Sequence, residues 1–342
     1  MKKLLLSAGV LALMTGAAAA QDNDAFTLQI GNDNLSATGQ FGQYNDAGTI
    51  QLGDDNFSAT LQIGDKNDAG TIQVQGSSSA AFAAAAEAGT NASVTAQVGE
   101  DNGALTLQST GDAGAAAFAA AGSGDNSSLT VQDGDDNRAL TVQRTGDAGA
   151  AGVAAAGSGD NSSATFQEGN RNAAVTVQQT GAAVAAGFAA AGSGDNSSLT
   201  VQDGNDNFAG TFQGTGPAIA AFRSVDSTAG NSAYTMQFGD GNASLTGQYS
   251  IGAGDDNSAG TLQIGDDNLA LTGQVGNGND SDTWQLGVDN FSGTLQLGVD
   301  NNAFTLQAGS GNGSLTAQFG SGHNSATIQA GSGNSSVTVQ SD

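Results

Sequence analysis

Residues 51–73 read QLGDDNFSATLQIGDKNDAGTIQ, which is one 11-residue sentence stated twice. Gln51, Gln62 and Gln73 stand 11 apart, as do Asn56 and Asn67, and Thr60 and Thr71. The sentence runs Gln, any residue, Gly, two turn residues, Asn, any, Ser or Ala, any, Thr, any, and then the next Gln. Working outward, it recurs through most of the chain beyond residue 21. There are 22 copies, the first closing at Gln40 and the last at Gln340. A fixed short period of this kind marks a stacked, quasi-one-dimensional fold.

The restricted positions share one parity. Every copy has its closing Gln and the Thr two residues before it, and His323 is the only break in the Asn column. Between Asn and Thr stands only Ser or Ala, as at Ser36, Ala47, Ser58 and Ala69. The opposite parity drifts: its first slot holds Leu35, Asp46, Phe57, Asp68, Arg138 and Asp280. Residues of one parity in a strand point to one face. A slot that accepts Asp, Arg and Phe faces water, because a buried unpaired charge is expensive. The polar, restricted face therefore points inward. An interior of small side chains and amides is narrow, and each amide bonds the same amide one layer up and one layer down. The expected ladder residues are Asn34, Asn45, Asn56 and Asn67; Thr38, Thr49, Thr60 and Thr71; Gln29, Gln40, Gln51, Gln62 and Gln73; and, near the other end, Gln263, Gln274, Gln285, Gln296, Gln307, Gln318, Gln329 and Gln340. Gly31, Gly42, Gly53 and Gly64 open the corners, where Gly allows positive φ and Asp or Asn supplies local bonds.

The first twelve copies alternate strictly between Ser and Ala, so the true period is 22: an all-β solenoid of stacked two-strand coils. Residues 21–75 carry plain repeats, residues 76–236 carry repeats with five Ala/Gly-rich insertions, and residues 237–342 return to plain repeats. The insertions, such as GDAGAAAFAAAG, stretch the period to 35 and leave at one corner of successive coils. Ala favours helix, but a helix is about 10 Å across and coils stack at about 4.8 Å. An extended third side, giving a locally triangular coil, is expected instead, with an irregular loop as the alternative. Counting each long gap as two 11-residue steps gives 27 steps from Gln29 to Gln340, hence a column about 65 Å long.

Residues 1–20, MKKLLLSAGVLALMTGAAAA, have the form of a secretory signal peptide cut before Gln21. The apolar run is too short to span a bilayer, and no membrane insertion is expected. Removing Lys2 and Lys3 leaves five cations against 33 acids, a net charge of −28. That excess argues against nucleic acid or an anionic membrane as partner. There is no Cys, and the one Pro, Pro217, lies in an insertion.

The repeat from Gln62 to Gln73, with Gly64, Asn67 and Ala69 at fixed offsets, resembles the curlin repeat of bacterial curli subunits. The resemblance covers nearly the whole chain beyond the leader, although the copies are more numerous and the Ala-rich insertions are foreign to the pattern. It implies a β-solenoid amyloid subunit, exported through a dedicated outer-membrane pore of a Gram-negative cell, nucleated at the cell surface and built into biofilm fibres. From the residues alone, the repeats run close to both ends without a cap, so head-to-tail self-association is expected. Outward apolar residues (Phe57, Leu61, Ile63, Trp284, Phe291, Leu295, Leu297) offer lateral contacts, or are ordinary scattered surface apolars.

Other chemistry is thin. Asp54, Asp55, Asp135, Asp136, Asp266 and Asp267 form acidic corners that are weak Ca²⁺ candidates, with solvated turns as the bland reading. His323 reads as a substituted turn residue, and Arg138, Arg144 and Arg171 as solvated cations. No nucleophile–base pair or His/Cys metal set stands out, so neither an enzyme nor a cofactor is expected. The alternative function is a monomeric surface solenoid, an adhesin or an ice- or ligand-binding protein; ice binding would need outward Thr columns.

Overall fold

A computed structural model describes residues 22–81, 85–117, 119–221 and 225–342. The expected leader lies outside them. Every regular element among the described residues is a strand. Two sheets form the column, one of twelve strands and one of eleven, and all pairings are parallel. The chain alternates between them. Asp24–Ile30 lies in the first sheet, Leu35–Phe41 in the second and Asp46–Leu52 back in the first. The register is set by the repeat: Gln29 pairs with Gln51 and Thr27 with Thr49 in one sheet, and Gln40 with Gln62 in the other. Where an insertion intervenes, the step becomes 35 residues, yet Asn126, Thr130 and Gln132 still meet Asn161, Thr165 and Gln167.

The corners explain the recurring glycines. Gly31 has φ 131°, and a Cβ there would stand 1.8 Å from the carbonyl oxygen of Gly53 in the next coil. Gly42, Gly53 and Gly64 share the positive φ. Two residues on, Asp33 and Asp55 take the left-handed conformation that Asp and Asn tolerate.

The insertions are extended, as expected, but they do not make the third wall of a triangle. Ser78–Ala81 lies against Ala85–Glu87, and Ala113–Ala117 lies against Ala120–Gly122. Each insertion thus leaves the column, folds back on itself and returns. Successive insertions pair in register, Ala113 with Ala148 and Ala148 with Ala183. The result is a fin, with Ala115, Ala121, Ala150, Ala156, Ala185 and Ala191 buried in its seam. Alanine permits this because two methyl-lined faces close without voids. Pro217 stands exposed at a corner, just before Ala218–Ala221, where no ladder donor is required.

The fin also shortens the column. Each long gap is a detour within one coil, not an added half-coil. Twelve strands in the longer sheet give a column of about 53 Å, rather than about 65 Å.

Candidate functional site: amide ladders and two open ends

The interior is built from the residues the repeat restricts. Gln51, Gln62 and Gln73 are fully buried, as are Asn45, Asn56 and Asn67, and Thr49 and Thr71 are 2% exposed or less. Gln29, Gln40, Asn34 and Thr38, in the first coil, are only half-buried because one side of that coil has no neighbour. Gln263, Gln274, Gln285, Gln296, Gln307 and Gln318 are fully buried, Gln329 nearly so, and Gln340 half-buried at the far edge.

Two glutamine ladders run the length of the column without a break. In the first sheet Nε2 of Gln29 donates to Oε1 of Gln51 at 2.6 Å, and Gln51 donates to Gln73 at 2.8 Å. The series continues to Gln318, which donates to Gln340 at 2.8 Å. In the second sheet it runs from Gln40 to Gln62, at 3.0 Å, and on to Gln307 and Gln329, at 2.8 Å. Every link points the same way, from lower to higher residue number. The second Nε2 hydrogen fixes that direction by binding a backbone carbonyl across the interior, as Gln51 binds Leu35 at 3.1 Å and Gln285 binds Leu269 at 3.0 Å. The asparagine ladder points the opposite way. Asn56 donates from both its backbone N–H and Nδ2 to Oδ1 of Asn34, at 3.0 and 2.9 Å.

The column ends are therefore chemically unlike. Among the described residues, Asp24–Ile30 and Leu35–Phe41 each pair on one side only, as do Asn324–Ser332 and Ser335–Ser341. The end nearer residue 22 presents the Oε1 acceptors of Gln29 and Gln40. The other end presents the outermost Nε2 donors of Gln329 and Gln340 and the Oδ1 acceptor of Asn334.

The Ser/Ala slot has a simple explanation. Ser58, Ser93, Ser281 and Ser314 are buried, and their hydroxyls have no hydrogen-bond partner. A buried hydroxyl without a partner costs about 1–3 kcal/mol, so Ala is an equal or better occupant. Ser281→Ala is expected to leave stability unchanged or raise it by up to about 1 kcal/mol, read from the denaturation midpoint.

The structure places the acidic corners on the exposed edge of the column. All six Asp candidates are exposed. The first of each pair accepts an amide from the neighbouring coil: Asp54 takes the N–H of Asn32 at 2.6 Å, Asp135 that of Glu100 at 2.8 Å, and Asp266 that of Asp240 at 3.0 Å. Asp55, Asp136 and Asp267 hold the left-handed turn position. Among the described residues, no group of three or more His, Cys, Asp or Glu is gathered to hold a metal. His323 sits at a corner, its Nε2 3.0 Å from the Phe319 carbonyl and 3.4 Å from the Asp342 carboxylate. Arg171 pairs with Asp206 at 2.6 Å on the surface, and Arg138 bonds the Asp101 carbonyl. Such exposed pairs contribute little.

Two features go beyond the repeat reading. The fin corners have their own ladder: Thr110, Thr145, Thr180 and Thr215 accept the N–H groups of Gly76, Gly111, Gly146 and Gly181. The recurring Thr-Gly pairs are the signal for it. The second feature is an outward cluster in which Tyr234 reaches across Gly260 to Asp282, its hydroxyl donating at 2.8 Å. A Cβ on Gly260 would lie 2.1 Å from the tyrosine ring, so only glycine leaves the path open. Beside it, Trp284 and Phe304 meet edge to face at 5.7 Å.

Burial and then the Asp282 bond push the Tyr234 phenol up to about 12. A raised acid favours its protonated form in the fold. The contribution of Tyr234 is thus present below its ordinary value of 10.0 and lost as pH rises through about 12. Tyr234→Phe is expected to delete the latest step in the phenolate absorbance titration.

Fold and interior together define a class: a parallel β-solenoid whose core is built from polar glutamine and asparagine ladders. No protein-family model matches the chain, and no curated protein matches it.

Proposed function

We propose that the chain is a structural subunit that polymerises head to tail into extracellular, curli-like amyloid fibres serving adhesion and biofilm matrix. The observation that carries this is the complementarity of the two open ends. Glutamine donors at one end match glutamine acceptors at the other. Head-to-head contact sets acceptor against acceptor, and tail-to-tail contact sets donor against donor. Unpaired parallel edges on both sheets template a further coil. The chemistry of the activity is completion of ladders, with another copy of this chain as partner. By the curlin resemblance, a secretion pore and a nucleating subunit are the accessory partners.

The ice-binding alternative loses its basis, because the Thr columns point inward. The adhesin alternative draws on the outward apolar residues: Phe57, Leu61, Ile63, Trp284, Phe291 and Leu295 are all exposed.

The test is incubation of purified protein, freed of its leader, with thioflavin fluorescence and fibre diffraction. Dye-positive fibres with a meridional spacing of about 4.8 Å are expected. Soluble, dye-negative monomer after days would overturn the proposal in favour of the adhesin. Charge supplies a second expectation. Freed of residues 1–20 the chain carries 5 − 33 = −28 at pH 7, and self-repulsion slows association. Burial raises Asp160 and, with repulsion from Asp282, Asp280. Such groups contribute stability at low pH that is lost as pH rises through their raised values. Acidification towards the isoelectric point should therefore shorten the assembly lag at no cost from these two groups.

A further inference from the structure

We propose that each copy in such a fibre is turned by about half a revolution relative to the last, so that the first sheet of one continues as the second sheet of the next. This inference rests on the head-to-tail reading and adds the geometry of the joint.

Among the described residues the column strands number twelve in one sheet and eleven in the other, twenty-three in all. The chain enters on the first sheet with Asp24–Ile30 and leaves on the same sheet with Ser335–Ser341. Suppose the next copy stacks unrotated. Its Asp24–Ile30 then covers Ser335–Ser341, but the second sheet is left with a slot one strand thick. Asn324–Ser332 of one copy and Leu35–Phe41 of the next would both face that slot unpaired. A half-turn closes it. Asp24–Ile30 then extends the second sheet over Asn324–Ser332, and Leu35–Phe41 extends the first over Ser335–Ser341.

The half-turn is permitted because the two sheets present the same inward residues. Rotation about the column axis also reverses strand direction, as the alternation between the sheets requires. Three of the four ladders then continue in phase: Gln329 meets Gln29, Gln340 meets Gln40, and Asn334 meets Asn34. The residues beside the joint already hold the corner conformation, since Asp22 has φ 60°, close to Asp33 and Asp55. The Asp342 carboxylate accepts the Ser321 N–H at 2.9 Å, as Asp54 accepts that of Asn32. One link is lost, because His323 has no amide to offer Asn23.

The fin makes the arrangement visible, since it projects from one side of the column only. Helical reconstruction of the fibres should show a rotation near 180° per copy beyond the intrinsic twist and a rise of about 55 Å, with fins alternating sides at about 110 Å. Fins all on one side, with a rise of about 58 Å, would overturn the half-turn while leaving head-to-tail assembly intact. Absence of fibres would instead overturn the assembly reading itself. Deleting residues 330–340 removes one unit and makes the strand count even. That variant should place every fin on one side, with an axial repeat of about 53 Å; fins that still alternate would refute the parity argument.

Discussion

Gln285→Glu should be among the most damaging single substitutions in the column. Gln285 accepts from Gln263 at 2.8 Å, donates to Gln307 at 3.0 Å and donates to the Leu269 carbonyl at 3.0 Å. A carboxylate retains the first contact and turns the other two into oxygen facing oxygen. It is also a charge at a position with no exposure. Leaving buried polar groups unpaired costs about 1–3 kcal/mol each, and more when one is charged. A loss of at least about 3 kcal/mol at neutral pH is expected. Burial raises the carboxyl pKa, and the protonated form regains one donor, so part of the loss should return on acidification. Hydrogen exchange across Asp280–Val288 and its neighbours Asn257–Ile264 and Asn302–Ser310 is the measurement. Unchanged protection at neutral pH would mean that the ladder does not hold the sheets together.

Gly298→Ala is expected to be comparably severe, for a steric reason. Gly298 has φ 138°, and a Cβ would stand 1.7 Å from the Gly320 carbonyl oxygen. That oxygen belongs to backbone in the next coil, so relief requires the coils to part. Strain of this kind costs roughly 1–3 kcal/mol before any loss of pairing. The comparison is Gly48→Ala. Gly48 lies within a strand, has ordinary φ, and its Cβ would meet no atom within 4 Å. There the smaller entropy of the unfolded chain should stabilise by about 0.5 kcal/mol. Denaturation midpoints that moved alike in the two variants would remove the distinction between corner and strand glycines.

Much of this was legible in the sequence. Parity alone identified the inward face, since Asn56, Ser58, Thr60 and Gln62 never yield to charge while Phe57 and its counterparts do. Register followed from the interval, because identical amides satisfy one another only when stacked. The acidic corners also followed from turn chemistry. The fold-back of the insertions did not. Their alternating small residues fit an extended segment, but whether that segment runs straight or doubles over depends on what its methyl face meets. Ala115 and Ala121 lie on separate strands yet join one buried cluster, a meeting of chain segments that local pattern does not encode. The column length went astray for the same reason. Tyr234 and Asp282 are 48 residues apart, and only the stacking of alternate coils, with Gly260 between them, brings them together.

What the sequence determined by itself is the face, the register and the corners, because each depends on a residue and its counterpart at a fixed interval. What only the tertiary structure decided is the direction of the ladders, the fin and the unlike ends. A glutamine amide donates equally well up or down. It takes a carbonyl from the opposite sheet, such as that of Leu35 or Leu269, to hold the second hydrogen and so point every link the same way.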